Sequence, residues 1–158
     1  ENMYKVFERE GIGNALMEIF SKPRVNGMAE RWGIIPGASL DLTGVDVDDG
    51  MLWDFNNEEK KTKALDMAIG KRALLLIGSP THKVFPTLQN WNLKRMDQEK
   101  SGRMWDEGMS HLNYCVMLYE MQMESGLYFL HEHPAGASSW SQPCITKLLA
   151  QPGVEGGK

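Results

Sequence analysis

The sequence predicts a single α/β domain built on a mostly parallel sheet. Three observations lead there. Apolar runs of strand length alternate with segments of helical periodicity, as in chains that wind helices around a parallel sheet. One run, Ala73 to Ile77, is continuously Leu/Ile-rich, which suits a strand buried on both faces. The longest helical pattern feeds through Gly126 directly into the run LYFLHEH.

The elements follow in order. Met3, Val6, Phe7, Ile12 and Leu16 recur at helical spacing, so the pattern predicts a helix over 3–16, broken near Gly11 and Gly13. GIGNAL matches only part of a dinucleotide fingerprint and precedes every strand, so it reads as a turn. LMEIF is a short strand, SKPRV a loop, and Asn26 to Trp32 a helix that stops at Gly33. Pro36-Gly37 turns the chain into a second strand ending at Asp41. An acidic loop with Asp46, Asp48 and Asp49 leads to a helix from Glu58 to Ile69, capped by Asn56 or Asn57, with Leu65, Ala68 and Ile69 on its buried face. After the Ala73–Ile77 strand, a polar loop runs to Gly102. A long helix to Glu124 then carries Trp105, Met109, Leu112, Val116, Tyr119 and Met123 as one apolar stripe. Pro134 ends the LYFLHEH strand, and Ser139 to Leu149 form a last helix.

Composition bounds the function. The chain has 158 residues, 42% hydrophobic and 24% charged, which is ordinary for one globular domain spanning 1–158. Its formal net charge of -4 offers no broad cationic surface for a nucleic acid. Two cysteines without metal-type spacing indicate neither a disulfide framework nor a zinc knuckle, so an intracellular setting, cytoplasmic or nuclear, is expected. No apolar run approaches the roughly 20 residues of a membrane helix, and no membrane partner is expected. A start without Met and the ending QPGVEGGK suggest part of a longer protein.

Ligands of parallel sheets gather beyond the carboxyl ends of the strands. That points to Ser21 to Val25, Asp41 to Thr43, Ser79 to Phe85 and His131 to Pro134. The loop FSKPRV precedes a helix N-terminus, whose N–H groups suit a polar or negative ligand group, although it lacks phosphate-loop glycines. Asp41 either accepts from a ribose hydroxyl or makes a turn. Trp53, Asp54 and Phe55 either wrap an adenine or anchor a loop. Strand alternation puts His131 and His133 on one face and Glu132 on the other. The two histidines would form a metal edge completed by His82 or a carboxylate; alternatively Glu132 is a carboxylate aimed into the cleft. His111 and Cys115 read as packed residues, and Cys144 has no histidine near it in sequence.

In order, FSKPRV, LLIGSPTHKVF and YFLHEHP resemble the core of cytosine-5 DNA methyltransferases, where an S-adenosylmethionine loop, a cysteine-bearing loop and a glutamate strand end follow one another. The span Glu18 to Trp140 looks more closely like a divergent methyltransferase-like group of mobile-element and large multidomain proteins, through SLDLTG, WDF, GSPTHKVFPTLQNWN, HLNYC and YFLHEHPAGASSW. The resemblance implies a Rossmann-like, doubly wound sheet, an incomplete methyltransferase core and S-adenosylmethionine as cofactor. It places Phe20, Ser21, Pro23, Arg24 and Val25 on the cofactor loop and Asp41, Asp54 and Phe55 on the ribose and adenine side. Gly78, Ser79, Pro80 and Phe85 fall on the catalytic loop, Glu132 on the catalytic glutamate, and His82 on the nucleophilic cysteine.

Cytosine-5 transfer needs a thiolate to add to the ring, and neutral imidazole is a poor substitute. Thr81, Pro86 and the Pro-Arg-Val of the cofactor loop also depart from the family pattern. The reading is therefore a degenerate, noncatalytic domain that binds or scaffolds, with DNA or a protein as partner. Two enzyme alternatives remain: an active S-adenosylmethionine-dependent or nucleotide- or nucleic-acid-modifying enzyme with His82 as general base and Glu132 as its partner, and a His82/His131/His133 metal-dependent hydrolase.

Overall fold

The computed structural model describes residues 3–11, 15–81, 84–85 and 97–157. Its elements are α1 (Met3–Glu10), β1 (Leu16–Ile19), α2 (Asn26–Ala29) continued by a 3-10 turn (Glu30–Trp32), β2 (Ser39–Leu40) and α3 (Glu58–Lys71). They continue with β3 (Leu75–Gly78), α4 (Gln98–Glu124), β4 (Tyr128–His131), a 3-10 turn (Ser138–Ser141) and α5 (Pro143–Leu149).

The four strands form one sheet in the order β2-β1-β3-β4, every pair parallel. The fold is a Rossmann-like α/β arrangement. Strand succession reverses between β1 and β3, which makes their carboxyl ends the topological switch point of the sheet. Register follows from alternation. Met17, Leu76 and Phe129 align across three strands, as do Ile19, Gly78 and His131. Met17, Ile19 and Leu76 pack on α3, α4 and α5 through Ala64, Ala68, Leu112, Leu118 and Ile145. On the opposite face Leu16 and Ile77 pack with Ala29 of α2 and with Ile34 and Ile35. Among the described residues, no helix is long and apolar enough to cross a membrane.

Two close approaches fix α4. A Cβ on Gly78 would lie 2.0 Å from the Tyr119 hydroxyl, so only glycine lets α4 rest on the end of β3. A Cβ on Gly108 would lie 2.1 Å from Val84, so the segment after β3 closes directly on the helix backbone.

Four expectations are corrected. The first helix ends at Glu10 because Gly11 takes φ +64, and Leu16 belongs to β1, paired with Leu75. Ala68 is buried and Leu65 packs against the core as expected, but Ile69 is 55% exposed; α3 turns Lys60 and Ala64 inward as well, because the acidic loop supplies partners for a buried ammonium. Lys60 Nζ lies 2.6 Å from both Asp46 and Asp49, and Lys63 Nζ lies 2.7 Å from Asp46 and 2.5 Å from Asp48. Both lysines also lie over the Trp53 ring. Burial pushes the Asp46 carboxyl up, but hydrogen bonds from Lys60 and Lys63 outweigh it and hold it at about 2. On α4, Leu112, Val116 and Tyr119 are buried as the stripe predicts, while Trp105 near the helix start is 39% exposed. Finally, Ser139 to Leu149 is not one helix. Pro143 starts α5 at its first turn and leaves Gln142 extended, since proline disfavours a helical residue before it.

Gly78→Ala should destabilise the protein by about 1–3 kcal/mol through overpacking, as read from urea unfolding. Adding Tyr119→Phe, which removes the clashing oxygen, should recover part of that loss; no recovery would show that the contact is not the cause.

Candidate functional site

The carboxyl ends of β1, β3 and β4 lie side by side. Ser79 N–H donates to Ile19 C=O at 3.1 Å, and Glu132 N–H donates to Gly78 C=O at 3.0 Å. This brings together Phe20 and Ser21, Ser79 and Pro80, and Glu132 and His133, with Asp41 one strand further out beyond β2. His82 lies outside the described residues.

At the end of β1 the backbone turns sharply, with Phe20 at φ 57, a conformation that costs a non-glycine residue about 1–3 kcal/mol. Packing holds it there. The Phe20 ring sits 4.5 Å from Phe55 and 4.8 Å from His111, with Trp53 stacked on Phe55 at 6.2 Å. Trp53 and Phe55 are buried, so within WDF only Asp54 is exposed. The Asp54 carboxylate accepts from Asn56 N–H, and the Asp41 carboxylate accepts from the Thr43 N–H and hydroxyl. Both acids therefore make turns.

The 20–25 segment is organised by Glu18, which lies within β1. Glu18, 1% exposed, accepts from Arg24 N–H at 3.2 Å, Val25 N–H at 3.0 Å, Asn26 N–H at 3.0 Å and the Ser39 hydroxyl at 2.8 Å. The donors at the start of α2 thus meet an anion from the chain itself. Its signal was a single acid inside the apolar run LMEIF. Ser21 is buried, with its hydroxyl donating to Lys22 C=O, whereas Pro23 and Arg24 are exposed and Val25 is half-buried.

The YFLHEHP strand end divides as alternation requires. Glu132 is exposed; His133 is buried and His131 half-buried. Both histidines are committed to the protein. His133 Nε2–H donates to Pro80 C=O at 2.7 Å, so Nδ1 accepts from the Ser139 hydroxyl at 2.6 Å. His131 Nδ1 shares a 3.0 Å hydrogen bond with the Tyr119 hydroxyl, and its Nε2 is buried with no partner. The rings stand 4.7 Å apart, with Trp140 edge-on to both. Among the described residues, no group of three or more His, Cys, Asp or Glu side chains is arranged to hold a metal ion.

His111 and Cys115 are fully buried on α4, and His111 Nε2–H donates to Asn56 Oδ1 at 3.1 Å. Cys115 is held protonated, its thiol pushed far up by burial. Cys144, half-buried on α5, is also raised by burial.

Compared with family models, with curated proteins and with solved structures, the chain gives no match. The site is therefore read from its own chemistry.

Burial, and secondarily the neighbouring His133, lowers His131 from 6.5 to about 3. The unfolded chain then binds the extra proton between those values, so stability falls as pH drops from 6.5 towards 3. Denaturant unfolding of wild type and His131→Gln across that window should show the smaller loss in the variant. Equal losses would exclude His131 as the source.

Proposed function

We propose that this chain is a methyltransferase-like domain, patterned on cytosine-5 enzymes, that binds a partner and does not transfer methyl groups. The observation that carries the reading is the absence of a usable thiolate. Addition to the cytosine ring requires a sulfur anion beside the carboxyl end of β3, and the chain has just two cysteines. Cys115 is buried under Tyr119 with its proton held, and Cys144 sits on α5 with its pKa raised. Position 82, which matches the nucleophile in the family pattern, is histidine.

The remaining frame supports binding over loss of all function. Glu132 is exposed at the strand end, and Glu18 and the Phe20 cluster keep the neighbouring loops ordered. A protein partner fits better than DNA, because 17 Lys and Arg against 21 Asp and Glu leave no excess of positive charge.

The test pairs calorimetry, using S-adenosylmethionine and its demethylated product, with a methyl-transfer assay on cytosine-containing duplex DNA. The expected result is no transfer above the protein-free blank, whatever the cofactor affinity. Robust transfer by the natural His82 protein would overturn the proposal.

A further inference from the structure

A second feature of the described structure lies along the outer edge of the sheet, one strand over from the β1–β3 switch point. A cavity of about 630 Å³ runs beside β4, walled by that strand, by Trp140, by Ile145 and Leu148 of α5, and by the 152–157 segment. Its size is that of a ligand site, and its walls are largely apolar.

β4 is the last strand in the sheet order. Tyr128 N–H donates to Leu74 C=O and Glu132 N–H to Gly78 C=O, so the even-numbered residues bond to β3. By strand alternation, the N–H and C=O groups of Phe129 and His131 point to the outer edge. The side chains beside them are also uncovered, with Tyr128 65% and Leu130 51% exposed. Natural edge strands are commonly blunted by a lysine, a proline or a bulge, and Tyr-Phe-Leu-His carries none of these.

Charge narrows the occupant. Among the described residues lining the cavity, the charged ones are Glu132 and Glu155, with no lysine or arginine. Phosphates, nucleotides and nucleic acids are disfavoured there, and a second copy would bring the same two carboxylates against the first pair. A segment with a cationic residue is complementary.

We propose that the β4 edge and its cavity bind an extended apolar segment of a partner protein, carrying at least one lysine or arginine, as a fifth strand. Main-chain bonds to Phe129 and His131 would supply affinity, the apolar walls side-chain selection, and Glu132 and Glu155 the charge preference. The site shares His131, Glu132 and His133 with the strand end but extends along the outer edge of β4, and it stands whether or not methyl transfer occurs.

Random heptapeptides displayed on phage would be selected on the full chain, and enriched peptides synthesised and titrated into ¹⁵N-labelled protein. Enriched sequences are expected to alternate β-branched residues and to contain Lys or Arg. Bound peptide should slow amide exchange at Phe129 and His131. Replacing the peptide's basic residue by glutamate, or Leu130→Lys in the protein, should each weaken binding about tenfold or more. Because Leu130 is half exposed, that variant should stay folded, which its circular dichroism would verify. No enrichment, enrichment of acidic peptides, or binding that leaves those two amides unprotected would overturn the proposal. So would a concentration-dependent dimer, seen by sedimentation, that protects the same amides.

Discussion

The contact between Tyr119 and Gly78 constrains most of what surrounds it. A glycine at the end of the central strand lets a phenol ring lie directly on the backbone. From that position the ring stacks on Phe129 at 4.5 Å, and its hydroxyl meets Cys115 and His131. One side chain of α4 thereby sets the height of the helix over β3, the packing of β4 and the environment of a buried imidazole. Protein interiors are close-packed, so an added methyl group there would have to move helix or strand. The Gly108–Val84 contact repeats the device one layer further out, and seals the beginning of the segment that follows β3 against the same helix.

Around that fixed point, the buried polar groups act as ties between elements. Gln122, 1% exposed, donates from Nε2 to both Ala73 C=O and Tyr128 C=O, joining the approaches to β3 and β4. Glu18 joins β1 to the start of α2 and to Ser39 of β2. His133 joins the end of β4 to Pro80 and Ser139. Lys60 and Lys63 join α3 to the acidic loop. A buried polar group left unpaired costs about 1–3 kcal/mol, so each such group fixes where its partners must be. The ends of the strands are held by these ties and not by apolar packing alone, which explains how short strands present ordered loops.

The two edges of the sheet differ in a way that bears on function. β2 is two residues long, so it offers little main chain for another strand to pair with. β4 is four residues long, apolar on its uncovered face and bordered by a cavity. The interior crevice has aromatic packing and the hydrogen-bonded carboxylates of Glu18 and Asp41 around it, whereas strand alternation turns the backbone groups of Phe129 and His131 towards the outer edge.

Much of the fold was legible in the sequence. The strand positions, the parallel sheet, the helix over 58–69, the long helix and the separation of His131 and His133 from Glu132 all follow from periodicity and turn residues, because alternation and helical spacing are local properties. The composition and the two-cysteine inventory likewise limited the chemistry before any coordinate. What the sequence could not state was which polar side chains turn inward. Lys60 and Glu18 look like ordinary charged residues until their partners, tens of positions or one loop away, are brought alongside. The same holds for the imidazoles, whose spacing suits a metal edge but of whose ring nitrogens His131 Nδ1 bonds to Tyr119 and both nitrogens of His133 to Pro80 and Ser139. Local pattern determines where strands and helices form, since it depends on neighbours along the chain. Only the tertiary structure decides which carboxylates are bound internally and which strand edge stays open, since those depend on contacts between residues that the chain keeps far apart.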